Sequence, residues 1–177
     1  MRKVLFNFIW FALVCCLIVV LLSIYIKPTS KLTLEYEPVN VEQKIKEMVM
    51  QLKNETVLTE NDIEAIIKQH LDPQLTQNIK IEGAQFYLQN DQLHATMHVK
   101  WHDQVDVELK ALYAFNWVEP TIMLTPISLH VKDIPLPNSW LEPVQFELYE
   151  TDQALIKIDS LDNINREIVI RWKLDIF

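Results

Sequence analysis

Gln92 to Phe115 reads QLHATMHVKWHDQVDVELKALYAF. In the first half, Leu93, Ala95, Met97, Val99 and Trp101 alternate with His94, Thr96, His98, Lys100 and His102. In the second, Val105, Val107, Leu109, Ala111, Tyr113 and Phe115 alternate with Asp106, Glu108, Lys110, Leu112 and Ala114. A period of two sends successive side chains to opposite faces of a pleated strand, so each half reads as a strand with one apolar face. A tight connection around Asp103-Gln104 joins them as a hairpin. In either plausible register Lys100 meets Asp106 or Glu108 across the strands, a favourable pair. An antiparallel sheet is therefore the frame on which the rest of the chain is read.

Working outward, residues 79–88 form an earlier strand, and Gly83 marks a bulge where the alternation changes phase. Further strands are expected near 121–132, 144–150, 154–158 and 164–176, the last with Ile168, Ile170, Trp172, Leu174 and Ile176 facing one way. Two helices precede the strands. The first has Asn40 as cap, Gln43 at the capping-box position and an apolar stripe of Val41, Ile45, Met48, Val49 and Leu52. The second has Leu58 as a staple, Thr59 as cap, Asp62 three residues on, and a stripe of Ile63, Ile66, Ile67, His70 and Leu71; Asp72-Pro73 stops it. Helices followed by strands predict an α+β domain, two amphipathic helices packed on a twisted antiparallel sheet of about seven strands.

Ahead of this domain, Val4 to Ile26 is a run of 23 residues without a charge. As a helix it spans roughly 35 Å, enough for a hydrocarbon core of about 30 Å, and it lacks the small-residue cleavage site of a secretory leader. The expected organisation is a short cytoplasmic tail (1–3), a transmembrane anchor (4–26), a connector (27–38) and an extracytoplasmic domain (39–177). Arg2 and Lys3 on the N-terminal flank place the tail in the cytoplasm and residues 28–177 outside the cell membrane by the positive-inside rule. Leu32, Leu34 and Tyr36 alternate with polar neighbours, so the connector has a side that can pair on the domain. Cys15 and Cys16 both fall within the apolar run, which leaves the domain without disulfides or thiolate metal ligands.

Charge and composition exclude several function classes. Beyond Lys27 there are 13 Lys and Arg against 24 Asp and Glu, a balance of −11. Such an acidic body does not suit a nucleic-acid backbone, which needs clustered cations. Gly83 is the only glycine, so Gly-rich phosphate loops and dinucleotide fingerprints are absent. His94, His98 and His102 have a spacing that would suit a metal on a helix. On a strand, however, residues four apart lie roughly 13 Å from one another, so these histidines are expected on a solvated sheet face and no metal is expected. No serine sits in a nucleophile elbow and no cofactor motif occurs, so no catalytic residue is assigned and the expectation is a non-enzyme.

The apolar residues carry more. Leu112 and Ala114 oppose Tyr113 and Phe115, and Ile122 and Leu124 oppose Met123, so residues 111–124 read as apolar on both faces. A one-sided antiparallel sheet would be polar on its outer face. Either helices cover both faces, or a cleft takes an acyl chain or an apolar partner; in the second case Tyr113, Phe115, Trp117, Ile122, Leu124 and Trp140 line it.

The order of elements resembles a known family. A membrane anchor, a helix reading Leu58-Thr59-Glu60-Asn61-Asp62-Ile63, a set of strands, and a late Ile127-Ser128-Leu129 followed by Ile134-Pro135-Leu136-Pro137 are similar to the YpmS-like proteins of Gram-positive cell envelopes. Where that family usually has a glycine after the Ser-Leu step, this chain has His130. The resemblance implies a surface-exposed envelope protein without established catalytic residues. Together with the apolar region it gives the expected function: a membrane-anchored, non-catalytic binding module for a lipid or other apolar envelope molecule, or else a scaffold for an envelope protein complex. The bilayer through residues 4–26, and a lipid or an envelope protein, are the expected partners.

Overall fold

The computed structural model describes residues 2–51, 53–118, 121–148 and 156–174. It is an α+β architecture behind a long apolar helix. That helix, α1 (Arg2–Tyr25), has 24 residues, about 36 Å at 1.5 Å per residue. Its Phe6–Tyr25 stretch is long and apolar enough to cross a membrane. The side chains from Phe6 to Leu22 are all exposed, so α1 leaves the domain instead of lying along it.

Residues 26–40 then run without helix or strand to α2 (Val41–Met50), where the Gln43 amide donates to Asn40 Oδ1 at 2.9 Å, as the capping pattern predicts. After β1 (Glu55–Leu58), α3 (Glu60–His70) begins with the expected reciprocal cap between Thr59 and Asp62. Asp62 also accepts from Lys44 Nζ at 2.8 Å, tying α2 to α3. The staple residue Leu58 is buried with Ile63.

The strands form two antiparallel sheets, not one. The larger has seven strands: β2 (Gln74–Thr76), β3 (Ile79–Gln89), β4 (Gln92–Trp101), β5 (Val105–Val118), β6 (Thr121–Val131) and β7 (Ile134–Leu136) in that order, with β8 (Val144–Glu147) beside the first half of β6. The smaller orders β1, β10 (Glu167–Leu174) and β9 (Ile156–Ile164). Within the large sheet, Lys100 lies opposite Asp106 and His98 opposite Glu108, which settles the register left open by the sequence. The bulge expected at Gly83 is a register shift between Ile81 and Gly83.

Where a strand was expected over 164–176, the chain turns at Asn165-Arg166 and pairs 156–164 with 167–174. Both turn residues sit in the left-handed region, φ 53° and 68°. Such two-residue turns usually carry glycine, and this one does not. Ile168, Ile170 and Trp172 nevertheless share the buried face as expected, while Ile176 lies outside the described residues.

Consecutive hairpins put the turns at two ends of the large sheet. The β4–β5 and β6–β7 turns fall at one end, and the β3–β4 turn at the other. The hydroxyl of Tyr25, the last residue of α1, donates to Asp133 Oδ2 at 3.0 Å in the β6–β7 turn. That end is therefore the α1 end, the anchor end if α1 crosses a membrane. Ile63, Ile66 and Ile67 of α3 pack between the two sheets, against Phe115, Ile122, Leu124 and Phe146 on one side and Leu58 and Ile168 on the other. α2 instead flanks β1, with Val41 and Met48 buried.

Candidate functional site

Three regions of the fold carry the residues from which a site can be built. The first is the apolar set expected as a cleft. The pairs Phe115↔Leu124 and Trp117↔Ile122 are cross-strand neighbours, so these residues share one face of β5 and β6, and Tyr113 continues it. Tyr113, Ile122 and Leu124 are buried, and Phe115 and Trp117 pack half-buried against them. Burial pushes the Tyr113 hydroxyl up to about 12. α3 covers this face, and the space remaining around Phe115, Ile122 and Leu124 is about 10 Å³. That is the least a single water needs, and far below the few hundred Å³ of a ligand pocket. Trp140 does not join the set: it stands on a single 3₁₀ turn, Asn138–Trp140, and is 60% exposed.

The second region is a polar row under the segment that follows α1. Gly83, His98 and Glu108 are aligned across β3, β4 and β5 on the face opposite the apolar one. The chain leaving α1 crosses this row as a strap. The Glu108 amide donates to the Ile26 carbonyl at 3.2 Å, just beyond the point where the β5–β6 ladder ends at Leu109↔Val131. The Thr29 amide and hydroxyl both donate to Glu108 Oε2 at 3.2 Å, and Lys132 Nζ stands 3.5 Å from the same oxygen. Further on, the Ala84 amide donates to the Thr33 carbonyl at 3.3 Å.

The strap explains why His98 and Glu108 are buried on a face expected to be solvated. His98 Nε2 lies 4.0 Å from Glu108 Oε2 and has no hydrogen-bond partner among the described residues. Burial pushes the His98 imidazole below its ordinary range and Lys132 adds to this, while Glu108 opposes it. Burial alone would raise the Glu108 carboxyl, but the Thr29 bonds and Lys132 outweigh it and hold it below the usual range. His94 is half-buried and stacked on Tyr87, and His102 is exposed in the turn. The three histidines thus have three different surroundings. Among the described residues, no three His, Cys, Asp or Glu side chains converge as metal ligands would.

The third region was missed by the sequence reading. At the end of the sheet opposite α1, the β3–β4 turn meets the β9–β10 turn around an open recess of about 650 Å³ lined by Gln89, Asn90, Asp91, Asn163, Asn165 and Arg166. Asn90 and Asp91 also sit in the left-handed region, φ 51° and 57°, which Asn and Asp tolerate better than most residues. The Phe115 amide donates to the Asp91 carbonyl at 3.0 Å and fixes this turn to β5. Arg166 is held by Glu60, 3.6 Å away at the start of α3, and by the Tyr87 ring, with Cζ 5.0 Å from its centroid. The lining offers amide donors and acceptors, one carboxylate and one guanidinium. These groups recognise polar ligands, but none is a nucleophile beside a base. Asn-Asp and Asn-Arg between alternating runs were the available signal.

Compared with family models, with curated protein sequences and with solved structures, the chain matches none.

Proposed function

We propose that this chain is a single-pass membrane protein whose folded part, outside the cytoplasm, is a non-catalytic interaction domain of the cell envelope. Its work in this reading is to present a polar surface to an envelope protein, not to carry a lipid. One observation favours the scaffold over the lipid binder: the apolar face of Phe115, Ile122 and Leu124 is closed by α3 with about 10 Å³ to spare. An acyl chain would need α3 lifted from the sheet, whereas the open concavity is polar and lies at the end opposite α1. Arg2 and Lys3 at the start of α1 support the outward orientation. The likeness of two short stretches to YpmS-like proteins supports the envelope setting, and the packing of Ile63, Ile66 and Ile67 supports one amphipathic helix, α3, as the lid of the sheet.

Two measurements test the reading. In native mass spectrometry from mild detergent, the full chain carries no stoichiometric lipid beyond that of a peptide of its first 27 residues. A further retained acyl species overturns the scaffold in favour of the lipid binder. A photo-crosslinker at Asn90 gives a discrete protein adduct in intact cells, which Arg166→Gly weakens. That substitution removes an exposed ion pair and a cation–π contact of about 1 kcal/mol each at most, and relieves a left-handed backbone by a similar amount. Stability therefore holds, and loss of the adduct reports the recess. An unchanged adduct places the interaction elsewhere on the domain.

A further inference from the structure

At the anchor end, one aromatic side chain is out of keeping with its neighbours. Trp101 continues the face of Leu93, Ala95, Met97 and Val99, all buried, yet is itself 50% exposed. Among the described residues its only ring neighbour is His102, with centroids 5.1 Å apart.

Its position relative to the end of α1 is fixed by two bonds already described, Tyr25 to Asp133 and Ile26 to Glu108. Trp101 pairs with Val105. It therefore lies three residues beyond Glu108, roughly 10 Å along the sheet toward the anchor end, and one strand across. Ile134, the first residue of β7, is 45% exposed at the same end, three strands across the sheet. The surrounding charges are mixed, with Lys100 paired to Glu82 and Asp106. An acidic body gains nothing from electrostatic adhesion to anionic lipid, so contact here would be aromatic and apolar. An indole, apolar in body and with one N–H donor, suits the level of lipid headgroups.

We propose that Trp101, at the tip of the β4–β5 hairpin, inserts among the headgroups of the bilayer that α1 crosses. The inference rests on the reading of α1 as a membrane span. The domain then meets the membrane at two points, the covalent anchor and the hairpin.

The test uses the full chain in lipid nanodiscs, with phospholipids brominated either near the headgroup or deep in the acyl chains. Emission from Trp101 is the difference between the wild type and Trp101→Phe, and emission from Trp10, within α1, is the difference from Trp10→Phe. The Trp101 share falls at least twofold with headgroup-proximal bromine, and the Trp10 share falls with deep bromine. Trp10 quenched and Trp101 not would overturn the inference while leaving the span intact. Neither quenched would overturn the span reading itself. Trp140→Phe, an exposed tryptophan outside the anchor end, shows no bromine-dependent share; if its share matched that of Trp101, specific insertion of the hairpin would be refuted.

Discussion

Gly83 needs no unusual backbone angle, since no glycine here has a positive φ. What it provides is room: a Cβ there would stand 2.2 Å from the Leu32 carbonyl oxygen. Gly83→Ala must therefore push the strap off β3 or distort the bulge. We expect a loss on the order of 1–3 kcal/mol in denaturant unfolding of the full chain in detergent, with faster tryptic cleavage at Lys31. The row beneath adds a pH dependence. His98 is held neutral by burial, so the unfolded chain, titrating near 6.5, binds the proton more readily than the folded one. Stability thus falls as pH drops through about 6.5. Glu108 has the opposite ordinary charge but the same consequence: its contribution is complete above about 4.5 and is lost as pH falls through its lower folded value. The melting temperature should fall in two stages on acidification, and His98→Gln should remove the upper one. The sequence showed the bulge at Gly83 but not its cause. The atom that presses on it belongs to Leu32, far away along the chain, and periodicity carries no information about such a contact. For the same reason His98 read as solvent-facing.

At the level of elements, local chemistry was legible and long-range pairing was not. Both helix starts were visible in their caps, because a capping side chain bonds a backbone amide only a few residues away. The β4–β5 hairpin was visible because the alternation runs without error over Gln92–His102 and resumes in the same period from Val105. By contrast, β1 and β7, with four and three residues, are too short to show a period. The Asn165-Arg166 turn carries no glycine to announce it, so β9 and β10 were misread. The six apolar residues illustrate the same limit: the alternation was readable, but not that α3 would close over Phe115, Ile122 and Leu124 and that Trp140 would stand outside. A closed face has a measurable signature. Leu124→Ala should cost about 2–5 kcal/mol in denaturant unfolding, the penalty for a cavity in packed surroundings. A lining residue of an already open cleft would cost much less.

Across the whole molecule, the strap makes one body of two parts. From Val105 at the anchor end to Phe115, where the recess turn is fixed, β5 advances ten residues, roughly 33 Å. In the reading proposed above, the recess stands well clear of the lipid. Energy transfer from a donor at Asn90 (Asn90→Cys, with Cys15→Ser and Cys16→Ser) to acceptors on lipid headgroups should report a closest approach of more than about 20 Å. With Gly83→Val the spread of distances should widen as the strap loosens. A free connector would have let the domain sweep a hemisphere above its anchor and sample partners at many heights. If α1 spans a bilayer as proposed, the strapped domain keeps only rotation about the membrane normal and drift in the plane. A search for the proposed partner would then be two-dimensional, with the recess held at one altitude, so that height would discriminate before any side chain is touched.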